Sequence, residues 1–122
     1  MVSVTTFTIT ELANEFKVTT RAIRFYEDQM LLAPTRQGHN RIYSKRDRVR
    51  LKLILRSKRL GLSLGEIKEL FDLYDSVQSG KTPHAQFLKI LSSKRMQLEE
   101  MKKDIEAMLS DIAMLEAQSK RA

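Results

Sequence analysis

The fold turns on Val18-Thr19-Thr20-Arg21-Ala22-Ile23-Arg24-Phe25-Tyr26-Glu27-Asp28-Gln29. Ala22, Ile23 and Phe25 or Tyr26 recur at helical spacing, which predicts a short helix from Arg21 to about Gln29. Thr19 or Thr20 supplies the oxygen that caps its first turn. Upstream, Thr8-Ile9-Thr10-Glu11 fits a capping box, in which the threonine accepts from an early N–H and the glutamate reaches back. Ile9, Leu12, Ala13 and Phe16 follow on one helical face to about Lys17. Two short helices around the β-branched turn Val18-Thr19-Thr20 read as a helix-turn-helix.

Downstream, Pro34 disfavours helix at Ala33 and closes this unit. Gly38, His39 and Asn40 are turn formers, flanked by Thr35-Arg36 and Arg41-Ile42-Tyr43, so a small β-hairpin wing is expected. Ser44 followed by Asp47 marks another helix start. Val49, Leu51, Leu53, Ile54, Leu55 and Leu60 run through that helix, which ends at Gly61. Ser63-Leu64-Gly65-Glu66 is a further capping box, opening a helix with Ile67, Leu70, Phe71 and Tyr74 on one face. Beyond a polar stretch, Phe87, Leu91, Leu98, Met101, Ile105, Met108, Ile112 and Leu115 form a coiled-coil seam, interrupted at Lys94. A helix over 83–118 would be ~54 Å long at 1.5 Å per residue, too long to bury its seam on a small head. A second copy of the same helix is the expected partner, giving a two-fold homodimer. The charges beside the seam do not settle the strand direction. The expected organisation is therefore a head over 1–75, a linker over 76–82, a dimerisation helix over 83–118 and a tail over 119–122.

The 122 residues carry 22 Lys and Arg against 15 Asp and Glu. The excess is not shared evenly: residues 1–61 sum to +8 and residues 62–122 to −1. Between Arg41 and Arg59 stand nine basic residues and one acid, Asp47. A basic front and a neutral back point to phosphate, which such a surface binds by releasing counterions. There is no Cys, which excludes disulfides, thiolate metal sites and a cysteine nucleophile. His39 and His84 are read as a wing surface residue and a helix-start residue, not as metal ligands. No nucleophile–base pair, phosphate loop or paired carboxylates is visible, so an enzyme is not expected. No signal peptide or membrane-length apolar run is read, and a soluble cytoplasmic protein with no membrane partner is the default.

Arg21 and Arg24 share a helix face, and arginine is the common bidentate reader of guanine. Tyr26 offers a hydroxyl to a phosphate. The bland alternative pairs Arg24 with Glu27 or Asp28 and puts Tyr26 in the core. The helix start at Thr19 and Thr20, which presents free N–H groups, and the wing residues Arg36 and Arg41 favour nucleic acid.

These motifs together resemble the MerR family of bacterial transcription regulators over nearly the whole chain. Phe7-Thr8-Ile9-Thr10-Glu11-Leu12-Ala13 is similar to the family's first helix. Val18-Thr19-Thr20 with Ile23-Arg24-Phe25-Tyr26-Glu27 is similar to its recognition helix, and Leu31-Leu32 with Pro34 to its exit. Arg36, Asn40, Arg41 and Tyr43 match the first wing; Gly61-Leu62-Ser63-Leu64, Glu66-Ile67 and Glu69-Leu70 match the fourth helix and second wing. The chain departs at Met30, where the family has Gly; a left-handed helix end is strained with Met, so the local turn is expected to differ. The resemblance implies a mainly α fold: a winged helix-turn-helix head, then a long helix pairing as an antiparallel coiled coil. It implies double-stranded promoter DNA as partner, a palindromic site whose spacer is distorted, and an indirect effect on RNA polymerase. The DNA-contact residues it implies are Thr19, Thr20, Arg21, Arg24, Tyr26, Arg36, Arg41, Tyr43 and Arg59.

Family sensors of metals and redox state use cysteine, which this chain lacks. No metal or resident cofactor is expected. Resemblance to regulators of branched-chain and acyl catabolism implies an organic effector such as an acyl-CoA near Tyr74 and Gly80. An architectural DNA-bending protein and a coiled-coil interaction module without DNA or effector are the alternatives.

Overall fold

In a computed structural model, which describes residues 5–121, the chain divides into a unit up to Leu73 and a second from Tyr74. The elements follow in the order β1 (Thr6–Phe7), α1 (Ile9–Phe16), α2 (Thr20–Asp28), β2 (Thr35–Gln37), β3 (Asn40–Ser44), α3 (Lys45–Arg59), α4 (Leu64–Gln78) and α5 (His84–Arg121). The fold is thus mainly helical, with one small sheet of order β1-β3-β2.

The helix starts are set by side chains at the expected places. Glu11 N donates to Thr8 Oγ1 at 3.1 Å while Thr8 N donates to Glu11 Oε1 at 3.0 Å. Ala22 N donates to Thr19 Oγ1 at 3.1 Å, and Glu66 N to Ser63 Oγ at 3.1 Å. Each satisfies one of the N–H groups that a helix start leaves unpaired.

The helix ends share a device. Lys17, Met30, Gly61 and Gly80 all take positive φ just past α1, α2, α3 and α4. After α2, Leu31 N donates to Tyr26 O and Met30 N to Glu27 O, each at 3.0 Å, the paired bonds of a Schellman turn. Met30 has φ 63°, so the expectation of a different turn is corrected. The two backbone bonds and the burial of Tyr26 and Leu31 hold the left-handed position although a side chain occupies it.

β2 and β3 form the wing, with Arg36 directly opposite Arg41 and Gly38-His39 at the tip. β1, which the sequence reading lacked, adds Thr6 and Phe7 against Ser44 and Tyr43 on the far side of β3. Leu12, Ile23, Tyr26, Leu31, Tyr43, Leu51, Ile54 and Ile67 make the buried core of the first unit. Asp47 is the buried carboxylate in the first unit. Its Oδ2 accepts from Ser44 N at 3.0 Å and from Ser44 Oγ, and its Oδ1 accepts from Ala33 N at 3.1 Å. One carboxylate therefore caps α3 and ties down the segment leaving α2.

In the second unit, Ser76, Val77 and Gln78 continue α4, so of the expected linker only 79–82 lies outside a helix. Val77 is buried, which gives this last turn a reason to stay helical. α5 spans 38 residues, ~57 Å at 1.5 Å per residue, and none of its described residues is buried. No described helix is long and apolar enough to cross a membrane.

Candidate nucleic-acid interface

Four of the five carboxylates of the first 61 residues are engaged by neighbours in the fold, and the fifth, Asp28, faces solvent. Glu11 caps α1, Glu15 holds Arg48, Glu27 holds Arg41 and Tyr43, and Asp47 caps α3. Arg48 Nε donates to Glu15 Oε1 at 3.0 Å and its Nη2 to the other oxygen, which holds the Glu15 carboxyl below its usual range. Arg48 also lies over the rings of Phe7 and Phe16. With these acids engaged, Lys17, Arg21, Arg24, Arg36, Lys58 and Arg59 are exposed and set the sign of the surface.

α2 sorts its residues by face. Ile23 and Tyr26 point into the core, while Arg21, Arg24 and Asp28 face outward. Among the described residues Arg21, Arg24 and Arg36 have no ion-pair partner. Of the alternative reading, the pairing of Arg24 with Glu27 or Asp28 is not realised, while its placing of Tyr26 in the core is; Glu27 turns to the wing instead. Its Oε2 accepts from Arg41 Nε at 2.9 Å and from the Tyr43 hydroxyl at 3.2 Å. Burial, then the Glu27 charge and hydrogen bond, push the Tyr43 phenol well above its ordinary pKa.

Two expected DNA contacts are thereby corrected. Tyr43 is 0% exposed, and its hydroxyl is spent on Glu27, so it does not reach a phosphate. Tyr26 is 2% exposed and belongs to the core, whereas its neighbour Phe25 is 47% exposed. Arg41 is half-buried and braces the wing against α2.

Tyr26 also borders a groove of about 510 Å³. Lys17, Thr19, Lys58 and Arg59 line it above an apolar floor that includes Phe16 and Leu55. Thr19 is the cap of α2, so the start of the helix and three cations share one concavity. Lys58 Nζ sits 6.0 Å from the centre of the Tyr26 ring. Lys17 and Lys58 were missed from sequence. The left-handed backbone at Lys17 gave no signal there, and Lys58 was one cation in a run of nine.

The expected dimerisation residues lie along one side of α5, with Leu91, Leu98, Ile105, Met108, Ile112 and Leu115 exposed and Phe87 and Met101 half-buried. Tyr74 is exposed and its ring lies 6.0 Å from that of Phe87. Gly80 takes φ +79° in the turn after α4, across which the Ser76 and Thr82 hydroxyls meet at 2.6 Å. The glycine thus has a backbone role.

Residues 7–73 match the family model of the MerR HTH family regulatory protein, and residues 48–115 match that of MerR, DNA binding. The HTH-type transcriptional regulator ZntR of Escherichia coli K12 is 38% identical over 69 residues, covering 55% of this chain and 49% of ZntR. The chain thus spans about half the length of the curated relatives it matches. A MerR family transcriptional regulator from Bacillus cereus superposes with a TM-score of 0.56 at 30% identity, over 87% of this chain and 76% of that one. HiNmlR, a MerR family regulator lacking the sensor domain and solved bound to promoter DNA, shares the fold at a TM-score of 0.53 and 23% identity, over 84% and 80% of the chains. The helix-turn-helix, the wing and these matches together make the chain a member of the MerR family of HTH regulatory proteins.

Proposed function

We propose that the protein is a homodimeric, sequence-specific DNA-binding transcription regulator. The carrying observation is the outward face of α2, where Arg21 and Arg24 stand without acidic partners beside a cationic groove at the helix start. Arg21 and Arg24 read base edges in the major groove. The α2 N-terminus at Thr19 and Thr20, with Lys17, Lys58 and Arg59, takes backbone phosphate. Arg36 sits exposed opposite Arg41 in the wing, and with Arg41 held by Glu27 it is Arg36 that offers its charge to a phosphate. Arg41 and Tyr43 act as positioning residues through Glu27.

α5 supports the dimer, since its apolar seam is exposed along its length in one chain. Two heads at a fixed spacing suit a palindromic promoter, and holding them rigidly lets binding energy deform the spacer and so act on RNA polymerase indirectly. HiNmlR, solved on promoter DNA, is the parallel for this reading. An organic effector of the acyl-CoA type would bind at the Tyr74–Phe87 pair beside the Gly80 turn; calorimetry with acyl-CoAs that shows no heat rejects that part alone.

Fluorescence anisotropy with promoter fragments, followed from low to high salt, tests the main reading. Each neutralised phosphate contributes about −0.9 to the slope of log K against log salt. Affinity is expected to fall steeply; salt-independent or absent binding overturns the proposal.

A further inference from the structure

α2 exposes one aromatic ring that neither the core nor the phosphate groove takes up. Phe25 stands open to solvent among Arg21, Arg24 and Asp28, on the face that carries the proposed function. Its place there is defined. At ~100° per residue, Arg21 points straight outward and Arg24 and Phe25 lie on either side of it. Arg24 leans to the flank of Glu27, which holds the wing residues Arg41 and Tyr43. Phe25 leans to the flank of Ala22 and Tyr26, both of which line the cationic groove.

The ring is also braced. It meets the Tyr26 ring edge-on, with centroids 5.9 Å apart and planes at 61°, and Tyr26 is itself fixed in the core. Phenylalanine has no hydroxyl, so this side chain offers a phosphate no hydrogen bond. What it can take from DNA is apolar contact. The major groove displays one apolar group among its donors and acceptors, the C5-methyl of thymine. That methyl lies at the outer end of the base edge, on the side of its own backbone. A helix that sets Arg21 against base edges and Lys58 and Arg59 against phosphate holds Phe25 over the strip between them.

We propose that Phe25 is a specificity-determining residue that reads the C5-methyl group of a pyrimidine, next to the base edge read by Arg21. The methyl belongs to thymine in ordinary DNA and to 5-methylcytosine where the DNA is so modified. This rests on the DNA-binding reading above and deepens it by naming a base feature the site must contain. Each half-site then holds a thymine at one fixed position, and methylation of a cytosine placed there strengthens binding.

The test starts from duplexes that the full wild-type chain selects out of a random pool. Each thymine is then replaced in turn by deoxyuridine, which removes the methyl and nothing else, and affinity is read by anisotropy. One position in each half-site is expected to weaken binding about fourfold, the transfer value of one buried methyl group. At that position 5-methylcytosine is expected to bind better than cytosine by a similar factor. F25A and F25Q, checked for folding by circular dichroism melts, are expected to bind the methylated and unmethylated duplexes alike. A wild-type scan that is flat at every thymine overturns the proposal without need of a variant and leaves the regulator reading standing. A methyl effect that persists in F25A or F25Q also overturns it, since another residue would then be the reader. F25A that weakens selected and scrambled duplexes equally overturns it too, because the ring would then rest on the sugar–phosphate backbone. A pool from which no sequence is selected overturns the sequence-specific reading itself.

Discussion

Tyr43 and Glu27 are joined across 3.2 Å, the phenol donating to the carboxylate oxygen that also receives Arg41 Nε at 2.9 Å. One carboxylate thus ties the second strand of the wing to α2. Tyr43 is wholly buried, so removing its acceptor strands a donor in the core. Hydrogen bonds to charged groups are worth about 1.5–3 kcal/mol each. Glu27→Ala is expected to lower stability in urea by about 2–3 kcal/mol. Arg41→Ala should then add little in the Glu27→Ala background, because the two losses share one acceptor. Additive losses would mean that the bonds do not form a unit.

The same contact predicts alkaline sensitivity. The folded state holds the Tyr43 proton above the ordinary tyrosine value of 10.0. Below that pH both states keep the proton, and the contribution is fully present. Above it the unfolded chain releases the proton while the folded chain does not. Stability falls as pH rises, by up to ~1.4 kcal/mol per pH unit for one group, until the folded phenol also ionises. Tyr43→Phe should be less stable than wild type at pH 8 and show a shallower decline between pH 9 and 11. Urea midpoints at the three values check this; equal slopes would place the titration elsewhere.

Met30 stands left-handed at φ 63° in a position where a side chain is strained. A non-glycine residue there costs roughly 1–2 kcal/mol, partly offset by the extra entropy a glycine brings to the unfolded chain. Met30 is exposed, so trimming its side chain opens no cavity. Met30→Gly is expected to raise stability by about 1 kcal/mol, read as a higher melting temperature with no change in DNA affinity. A neutral or destabilising result would show that its side chain makes contacts worth the strain.

Much of this was legible because local rules acted alone. Thr8 with Glu11 and Ser63 with Glu66 announce helix starts whatever the rest of the chain does, and Gly38-His39-Asn40 announces the wing. What stayed hidden depended on partners distant in sequence. Phe25 and Tyr26 are adjacent aromatics, and periodicity alone does not say which one turns inward. Tyr43 reads as a wing contact until Glu27, sixteen residues earlier, is seen to take its hydroxyl. Val49, Leu53 and Leu60 run through α3 and its end together with Leu51 and Ile54, and hydrophobicity carries no direction to say which of them turn outward. β1 is two residues long and exists only because Tyr43 and Ser44 leave an open edge beside it.

Asp47 joins Ser44, at the start of its own helix, to Ala33, fourteen residues away. It is buried, so Asp47→Ala removes a cap and leaves the Ala33 and Ser44 N–H groups without acceptors. A lost cap costs about 1 kcal/mol and an unsatisfied buried donor about 1–3 kcal/mol. A loss of about 2–4 kcal/mol in chemical denaturation is expected. Asp47→Asn, which keeps one acceptor, should lose less. If Asp47→Asn were as stable as wild type, the carboxylate's second acceptor would be idle.

Arg24 and Lys58 should fail differently on DNA. Arg24 stands outward on α2 without an acidic partner, and Lys58 lines the groove at the α2 N-terminus; we assign the first to a base edge and the second to a phosphate. Arg24→Ala is expected to weaken binding to the specific site by ~1–3 kcal/mol and to leave non-specific binding little changed. Lys58→Ala should weaken both alike and reduce the salt slope by about 1. Anisotropy titrations on specific and scrambled duplexes at several salt concentrations separate the two patterns. Uniform weakening by Arg24→Ala would turn that residue into a phosphate contact and move base readout to Arg21. A change in sequence preference on losing Lys58 would mean that the groove reads the DNA's shape rather than only its charge.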